Sequence, residues 1–181
     1  MSNFLRIAAG LVILIIALLI AALFVKKEVV IKQQIIINCP KQDVYDYIKF
    51  LKHEDTYNKW VMADRALKKD FTGTDGTLGY LFVWESKDKN IGEGEQEITK
   101  LTEGREVECE IRFISPRKNK AVSLMTTDSV SPGVTRVEWV FSSRMKYPGN
   151  LMRSKYIKRI GKDLATSLKS LKERLERSYP Q

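Results

Sequence analysis

The sequence predicts an α+β fold, in which a curved antiparallel sheet of about seven strands surrounds a long C-terminal helix and one transmembrane helix precedes them. Three observations support this prediction. An apolar run near the N-terminus has the length of a membrane span, the middle of the chain alternates with the period of a strand, and the last part carries one helical apolar stripe. We therefore divide the chain into a transmembrane anchor, residues 1–27, and a folded domain, residues 28–181.

The apolar run covers residues 7–25 and is closed by Lys26 and Lys27. A helix of this length spans about 28 Å, close to the hydrocarbon thickness of a bilayer. A cleaved signal peptide has a shorter apolar core followed by small residues, whereas bulky residues occupy positions 23–25 here. A buried core helix would show a polar stripe, and this run has none. We therefore expect an uncleaved, single-pass anchor.

The charges that flank the anchor favour the cytoplasmic over the periplasmic side for the domain. Lys and Arg close to the membrane ends decide topology. The N-terminal flank offers Arg6, whereas the C-terminal flank offers Lys26, Lys27, Lys32 and Lys41. The cysteine content agrees with this side, because two widely separated cysteines do not form the disulfide framework of a secreted domain.

The chain is basic, with a formal net charge of +9. Residues 149–178 hold nine Lys and Arg against three acidic residues. Such an excess suits nucleic acid or an anionic lipid surface. Because the domain is tethered beside lipid, we expect the basic C-terminal helix to contact anionic lipid, with a merely solvated helix face as the alternative. No nucleic acid is expected, because the aromatic residues fall on the predicted inner face, away from the lysines.

The first part of the domain predicts one strand and two helical segments. Residues 28–37 are rich in Val and Ile and predict a long first strand, which ends at residues 38–40. Helical spacing follows at Val44, Tyr45, Ile48 and Leu51. A second, short helical stretch is expected near residues 54–58.

Six more strands are expected, over residues 67–71, 78–85, 92–98, 106–113, 120–128 and 134–141. Their period of two separates an outer from an inner face. In the fourth strand Glu93, Glu95 and Glu97 face water, so that Gly94 and Gln96 face inward. Turns such as residues 131–133 separate the strands.

A helix of about 28 residues follows residues 147–149. Its apolar positions step by three or four residues and form one stripe: Ile157, Ile160, Leu164, Leu168, Leu171 and Leu175. Only this helix is long enough to cover the apolar face of the sheet. The glycine at position 161 indicates close approach to the sheet or spare room beneath it. The pattern allows either a cavity or a solid core between sheet and helix.

Several segments carry a family resemblance: VYDYIKFLKHEDTYNKW, GTDGTLGYLFVWES, IGEGEQEI, YPGNLM and IGKDLATSLKSLKERLE. In these segments, residues 28–177 resemble the helix-grip (Bet v 1-like, SRPBCC) superfamily, which includes START lipid-transfer domains, plant pathogenesis-related allergens and bacterial polyketide cyclases. They look like its bacterial membrane-anchored branch of polyketide cyclase/dehydrase and lipid-transport proteins. The resemblance implies an apolar cavity between the sheet and the long helix.

The candidate ligand-binding residues come from the inward strand positions, the segment before the second strand and the covering helix. They are Trp60, Tyr80, Phe82, Trp84, Gln96, Phe113, Trp139, Phe141, Leu164 and Leu168. For each of them plain core packing is an equal alternative, because a cavity wall and a core use the same residues. Gln96 differs, since an amide on an apolar face needs a partner: a buried neighbour, water or a ligand.

Catalytic residues, metal ligands and cofactors are not expected. His53, the single histidine, lies between Lys52 and Glu54 in a stretch that we expect to be exposed to solvent. One histidine and two distant cysteines provide no metal-binding cluster. Asp163 lies within the long helix, where we expect an exposed or capping role rather than a buried acid.

We therefore expect a membrane-anchored domain that binds or transfers a hydrophobic small molecule or lipid. The ligand would enter between the long helix and the loops near Pro116 and Pro132. The alternatives are a polyketide cyclase/dehydrase-like enzyme on an apolar substrate and a protein-binding regulatory module. A continuous apolar cavity of several hundred Å³ favours binding, and a filled interior favours the regulatory module. Paired acidic or tyrosine groups at hydrogen-bonding distance inside a cavity favour the enzyme.

Overall fold

The computed structural model of the chain describes residues 3–178. The first two residues of the predicted anchor, 1–2, and the last three of the predicted domain, 179–181, lie outside the described residues. The first element is the helix α1, Asn3–Phe24, whose side chains are exposed except for the buried Ala22. It is the one helix of the described chain that is long and apolar enough to cross a membrane.

The remaining elements follow one another in the order that the sequence predicts: a strand, short helices, six strands and a long helix. They are β1 (Glu28–Ile37), α2 (Lys41–Ile48), a 3₁₀ helix (Leu51–Thr56), α3 (Lys59–Ala63), β2 (Lys68–Thr72), β3 (Leu81–Glu85), β4 (Glu93–Thr102), β5 (Glu106–Ser115), β6 (Asn119–Ser131), β7 (Val134–Arg144), a second 3₁₀ helix (Gly149–Met152) and α4 (Arg153–Ser178).

The seven strands form one antiparallel sheet in the order β1-β7-β6-β5-β4-β3-β2. The long helix α4 lies against the inner face of this sheet, and its Leu164, Leu168, Leu171 and Leu175 are buried in the core. Burial alternates along residues 93–98 of β4 and 106–109 of β5, with glutamates on the outer face; the inner positions are apolar or glycine except for Gln96. The predicted fold class, a curved antiparallel sheet around a C-terminal helix, is therefore confirmed.

Several predicted boundaries differ from the structure, most of them because a strand is a few residues longer than expected, and three differences change the shape of an element. The strand β3 begins at Leu81 rather than at residue 78, because Gly79 has a φ of +79° and the Tyr80 amide bonds back to Thr77 in a turn. In place of the expected stretch at residues 54–58 there are two helical segments, separated by residues 57–58, and the Asn58 side chain caps α3. The C-terminal helix begins as a 3₁₀ helix, which leaves 26 residues in α4.

The C-terminal end of α1 is bound to the segment that precedes α4. The Asn150 side-chain amide donates to the carbonyl oxygens of Ala22 at 2.6 Å and Val25 at 2.8 Å, and the Tyr147 hydroxyl donates to that of Leu19 at 3.1 Å. The last carbonyls of a helix have no partner within it. Asn150 supplies such a partner for Ala22 and, together with Tyr147, holds the start of α4 beside the end of α1.

The strand register shows which loops lie near α1. Glu28 pairs with Arg144 at one end of the sheet, and Ile37 pairs with Thr135 at the other. The loops at residues 86–92 and 116–118 lie at the Glu28 end, which we call the anchor end. The turn after Ser131 lies at the opposite end.

Candidate functional site

A cavity of about 250 Å³ lies between the inner face of the sheet, α3 and the first half of α4. The helix α4 contributes Tyr156, Arg159 and Ile160 to its wall. Several of the sheet positions that line it, such as Phe113 on β5 and Phe141 on β7, lie close to the anchor end of their strands. The interior is therefore not a solid core, and its open space lies in the part of the domain close to the end of α1.

Most of the predicted binding residues line this cavity: Trp60, Phe82, Trp84, Gln96, Phe113, Trp139 and Phe141. Tyr80, Leu164 and Leu168 are buried outside its lining. Tyr80 stacks on Phe71 with ring centroids 6.1 Å apart, and the two leucines pack further along α4, beyond the open space. That any of these residues contacts a ligand stays a prediction.

Aromatic rings form a continuous wall on the β2–β5 side. Phe82 stacks on Phe71 at 5.2 Å, Trp84 follows Phe82 at 5.7 Å, and Phe113 meets Trp84 edge-on at 6.2 Å. Gly94 lies directly beneath the Trp84 indole, and a Cβ at this position would overlap the ring. The strand pattern predicts that Gly94 faces inward, and its lack of a side chain leaves the room that the Trp84 ring occupies.

All three tryptophans of the chain, Trp60, Trp84 and Trp139, line the cavity. The buried Trp139 indole N–H donates to the Ser123 hydroxyl at 2.8 Å, which satisfies it on the apolar face. Because tryptophan emission depends on the surroundings of the indole, the chain carries its own fluorescent reporters of what occupies the cavity.

A buried carboxyl, that of Glu54, also lines the cavity. Its side chain is 4% exposed. One carboxylate oxygen accepts from the Gln96 amide and the other from the Asn58 amide, both at 2.8 Å. The side-chain oxygen of Asn58, Oδ1, in turn accepts from the backbone N–H of Trp60 at 3.1 Å, which fixes the orientation of the Asn58 side-chain amide. We call Glu54, Asn58 and Gln96 the polar cluster.

Burial raises the pKa of the Glu54 carboxyl from its ordinary 4.5 to about 7, and the Gln96 and Asn58 hydrogen bonds hold the pKa below where burial alone would put it. No Lys, Arg or His of the described chain forms an ion pair with this carboxyl. A desolvated carboxyl without a counter-ion is costly, so its protonation state responds to whatever enters the cavity.

The expectation that the stretch around His53 is exposed is wrong for Glu54. In a 3₁₀ helix residues three apart share a face, and so Glu54 lies inward with Leu51. The spacing of three residues between Leu51, on the apolar side, and Glu54 is a sequence signal for this burial. His53 is half-buried outside the cavity, where its ring stacks on Tyr47 at 4.4 Å and its Nδ1 lies 2.8 Å from the Tyr47 carbonyl oxygen.

The expected exposed or capping role for Asp163 is also wrong. This carboxylate is 5% exposed and forms an ion pair with Lys59. The backbone N–H of Lys59 donates to the Ser167 hydroxyl at 3.0 Å. The two contacts fasten α3 to α4, which is why the helix tolerates a buried acid there.

A second pocket, of about 340 Å³, adjoins the cavity. The two share Trp60, Asn90, Ile91 and Arg159. The second adds Lys59, Ala63, Asp88, Lys162 and Asp163. Asn90 and Ile91 belong to the loop at residues 86–92, so this polar rim lies at the anchor end. The turn at Pro132 lies at the far end of the sheet, away from this rim, whereas Pro116 lies at the anchor end. The structure thus places one of the two turns expected at the entrance near the rim.

The lining favours apolar contact over metal chemistry. Within residues 3–178 no three His, Cys, Asp or Glu side chains come together to hold a metal ion. Cys39 and Cys109 are buried and unbridged, and burial raises the pKa of the Cys39 thiol to about 11. The cavity offers aromatic and aliphatic walls, one carboxyl and a few hydrogen-bonding groups. That combination is typical of a site for a mainly apolar small molecule.

The fold is shared with many solved structures of low sequence identity. The Aha1 dimer from Colwellia psychrerythraea is 17% identical, with a TM-score of 0.58 over 83% of this chain and 98% of that one. Norcoclaurine synthase from Thalictrum flavum, solved in complex with dopamine and hydroxybenzaldehyde, is 8% identical, with a TM-score of 0.63 over 85% of this chain and 90% of that one. At such identities the likeness shows the fold alone.

A protein from Thermus thermophilus is 17% identical, with a TM-score of 0.60 over 83% of this chain and 99% of that one. No curated protein matches the sequence. A family model does match, over residues 28–176, nearly the whole chain that follows the apolar helix. The chain therefore belongs to the polyketide cyclase / dehydrase and lipid transport family.

Proposed function

We propose that the protein binds or transfers a hydrophobic small molecule or lipid, which it encloses in the cavity between the sheet and α4 while α1 anchors it in a membrane. The observation that carries this proposal is the cavity itself. Its wall is mainly aromatic and aliphatic, with ring contacts that continue from Phe82 through Trp84 to Phe113. Each Å² of apolar ligand surface removed from water there contributes roughly 25 cal/mol to binding.

The position of the cavity supports exchange with a bilayer. Its polar rim lies at the anchor end, and the Asn150 and Tyr147 hydrogen bonds hold that end beside the C-terminus of α1. A ligand dissolved in the bilayer would therefore meet the rim within a short distance of the membrane surface. Tethering raises the effective concentration of the domain for such ligands.

The membrane surface is also a fitting partner for the basic residues. Lys26, Lys27 and Lys146 lie around the end of α1, and Arg153 and Lys155 open α4. We propose that they contact anionic lipid headgroups on the cytoplasmic side, where the flanking charges favour the domain. A cysteine introduced at exposed Lys155 would then resist a membrane-impermeant maleimide in intact cells and react after lysis.

An enzyme on an apolar substrate is the alternative with some structural support, because Glu54 places an acid in the cavity. It is the single carboxyl among the described lining residues, and so the paired acids that a two-residue mechanism needs are not brought together there. Binding without chemistry therefore accounts for more of the lining than catalysis does.

Tryptophan fluorescence tests the proposal with the full chain in detergent. The probe is 1-bromononane, whose bromine quenches indoles that it touches. We expect saturable quenching, because a finite cavity holds all three tryptophans of the chain. Quenching that rises linearly with the probe, as for random collisions in the micelle, would contradict the proposal. Potassium iodide, which stays in water, is the control for solvent-exposed indole surface.

A further inference from the structure

The Glu54 carboxyl gives the apolar cavity a specific hydrogen-bonding capacity. Each of its oxygens accepts one amide hydrogen bond, from Gln96 or Asn58, at 2.8 Å. A carboxylate oxygen has room for a second donor, so both keep acceptor capacity. Because Glu54 lines the cavity, a bound molecule can reach this carboxyl. A core needs no such group, and burying it costs folding free energy.

The charges around the cavity restrict which polar group a bound molecule can place against Glu54. An anionic group placed against Glu54 would be repelled by the carboxylate. A cationic group would have to pass the rim, whose three basic residues outnumber its acids, Asp88 and Asp163. Lys59 pairs with Asp163, whereas Arg159 and Lys162 form no ion pair with any described residue. A neutral hydroxyl avoids both penalties and supplies the donor that the carboxylate can still accept.

We infer that the cavity takes an apolar molecule that carries a hydroxyl group, and that this O–H donates to Glu54 within the polar cluster. The inference rests on the proposed function, since it names the chemical class of the ligand. The amides of Gln96 and Asn58 orient the carboxylate, and the aromatic wall encloses the apolar body of the ligand. The hydroxyl end of the ligand binds at Glu54, so it does not contact the rim.

The protonation state of Glu54 makes this recognition sensitive to pH. An O–H donor stabilises the ionised carboxylate more than the neutral acid, so hydroxyl binding strengthens as Glu54 ionises. Burial raises the pKa of Tyr57 and of Cys109, which therefore stay neutral below pH 8. The other acids near Glu54 face away from the cavity: Asp55 pairs with Lys69, and Asp75 accepts the backbone N–H of Leu51. His53 contacts Tyr47 instead.

Two matched probes test the inference on the full chain in detergent. The probes are 8-bromo-1-octanol and 1-bromononane, which differ in a hydroxyl against a methyl group at the end opposite bromine. Binding is measured by tryptophan quenching and corrected for partition into the micelle. We expect the preference for the alcohol in wild type to exceed that in Glu54→Gln by about tenfold, the size of a charge-assisted hydrogen bond.

The pH series needs no variant. The affinity of wild type for 8-bromo-1-octanol should rise several-fold from pH 6 to pH 8, while the affinity for 1-bromononane should stay level or fall. The control variant His53→Gln should retain the rise, because His53 lies outside the cavity. An alcohol preference that is unchanged by both pH and Glu54→Gln would overturn the inference and leave the proposed function standing. Saturable quenching by neither probe would overturn both.

Discussion

The Glu54 carboxylate accepts the Gln96 amide at 2.8 Å, and this bond joins the 3₁₀ helix before α3 to the middle of β4. It is the contact that an amide on an apolar strand face requires. Both side chains line the cavity and are nearly inaccessible to solvent, with exposures of 4% for Glu54 and 6% for Gln96. The protonation of this one carboxyl therefore affects both the free energy of unfolding and the proposed affinity for a ligand.

The first prediction concerns how stability depends on pH. The folded state raises the pKa of Glu54 from 4.5 to about 7, so it holds this proton more tightly than the unfolded chain does. The stabilising effect of the proton is fully present below pH 4.5 and is lost as pH rises through 7. We expect wild type to lose up to about 3 kcal/mol of unfolding free energy over that window through this group.

Thermal unfolding of the full chain in detergent at pH 5 and pH 8 checks this. Glu54→Gln removes the titration, so its stability relative to wild type should improve from pH 5 to pH 8, even though its amide loses one of the two hydrogen bonds at any pH. A difference between variant and wild type that stays constant across this range would show that Glu54 does not titrate there.

The second prediction concerns the space beneath Trp84. Gly94→Ala places a methyl group where the indole lies, so Trp84 must move or the strand must shift. We expect a loss of about 1–3 kcal/mol of unfolding free energy, the usual cost of overpacking, together with a shift in tryptophan emission. Gly149→Ala is the matched control, because a Cβ there meets nothing within 4 Å. Equal behaviour of the two variants would argue against the wall as described.

The third prediction concerns the attachment of α1. Asn150→Ala removes the donor to the carbonyl oxygens of Ala22 and Val25. We expect the domain to lose its fixed orientation, seen as a broader distance distribution between spin labels on α1 and α4 in nanodiscs. Tyr147→Phe, which removes one exposed hydroxyl bond to Leu19, should have a smaller effect. Identical narrow distributions for wild type and Asn150→Ala would contradict this role.

Regular patterns in the sequence predicted the fold well, because each is repeated many times. The glutamates recur at every second residue of β4, and the leucines recur over several turns of α4. One exception does not change which face is predicted to be buried. The aromatic wall follows from the same alternation. Tyr80, Leu164 and Leu168 share the inward pattern yet lie outside the cavity, because a periodic pattern identifies a face and not the open space beside it.

The polar cluster could not be predicted in the same way. Glu54 lies in one short 3₁₀ helix between charged neighbours, so no repeated pattern marks it as inward, and its partner Gln96 is 42 residues away. The same holds for Asp163, since its burial depends on an ion pair with Lys59 from a different helix. Isolated polar residues become buried through long-range partners, and a single sequence does not show those partners.

The measurement that tests the central claim most directly is native mass spectrometry of the detergent-extracted full chain. We predict a co-purifying apolar species with wild type, and its loss in Ile160→Trp, which fills the cavity from α4. Ile157→Trp, on the same helix and half-buried outside the lining, should retain the species. Equal retention in both variants, or no bound species in wild type at all, would contradict the assignment of this cavity as a ligand site.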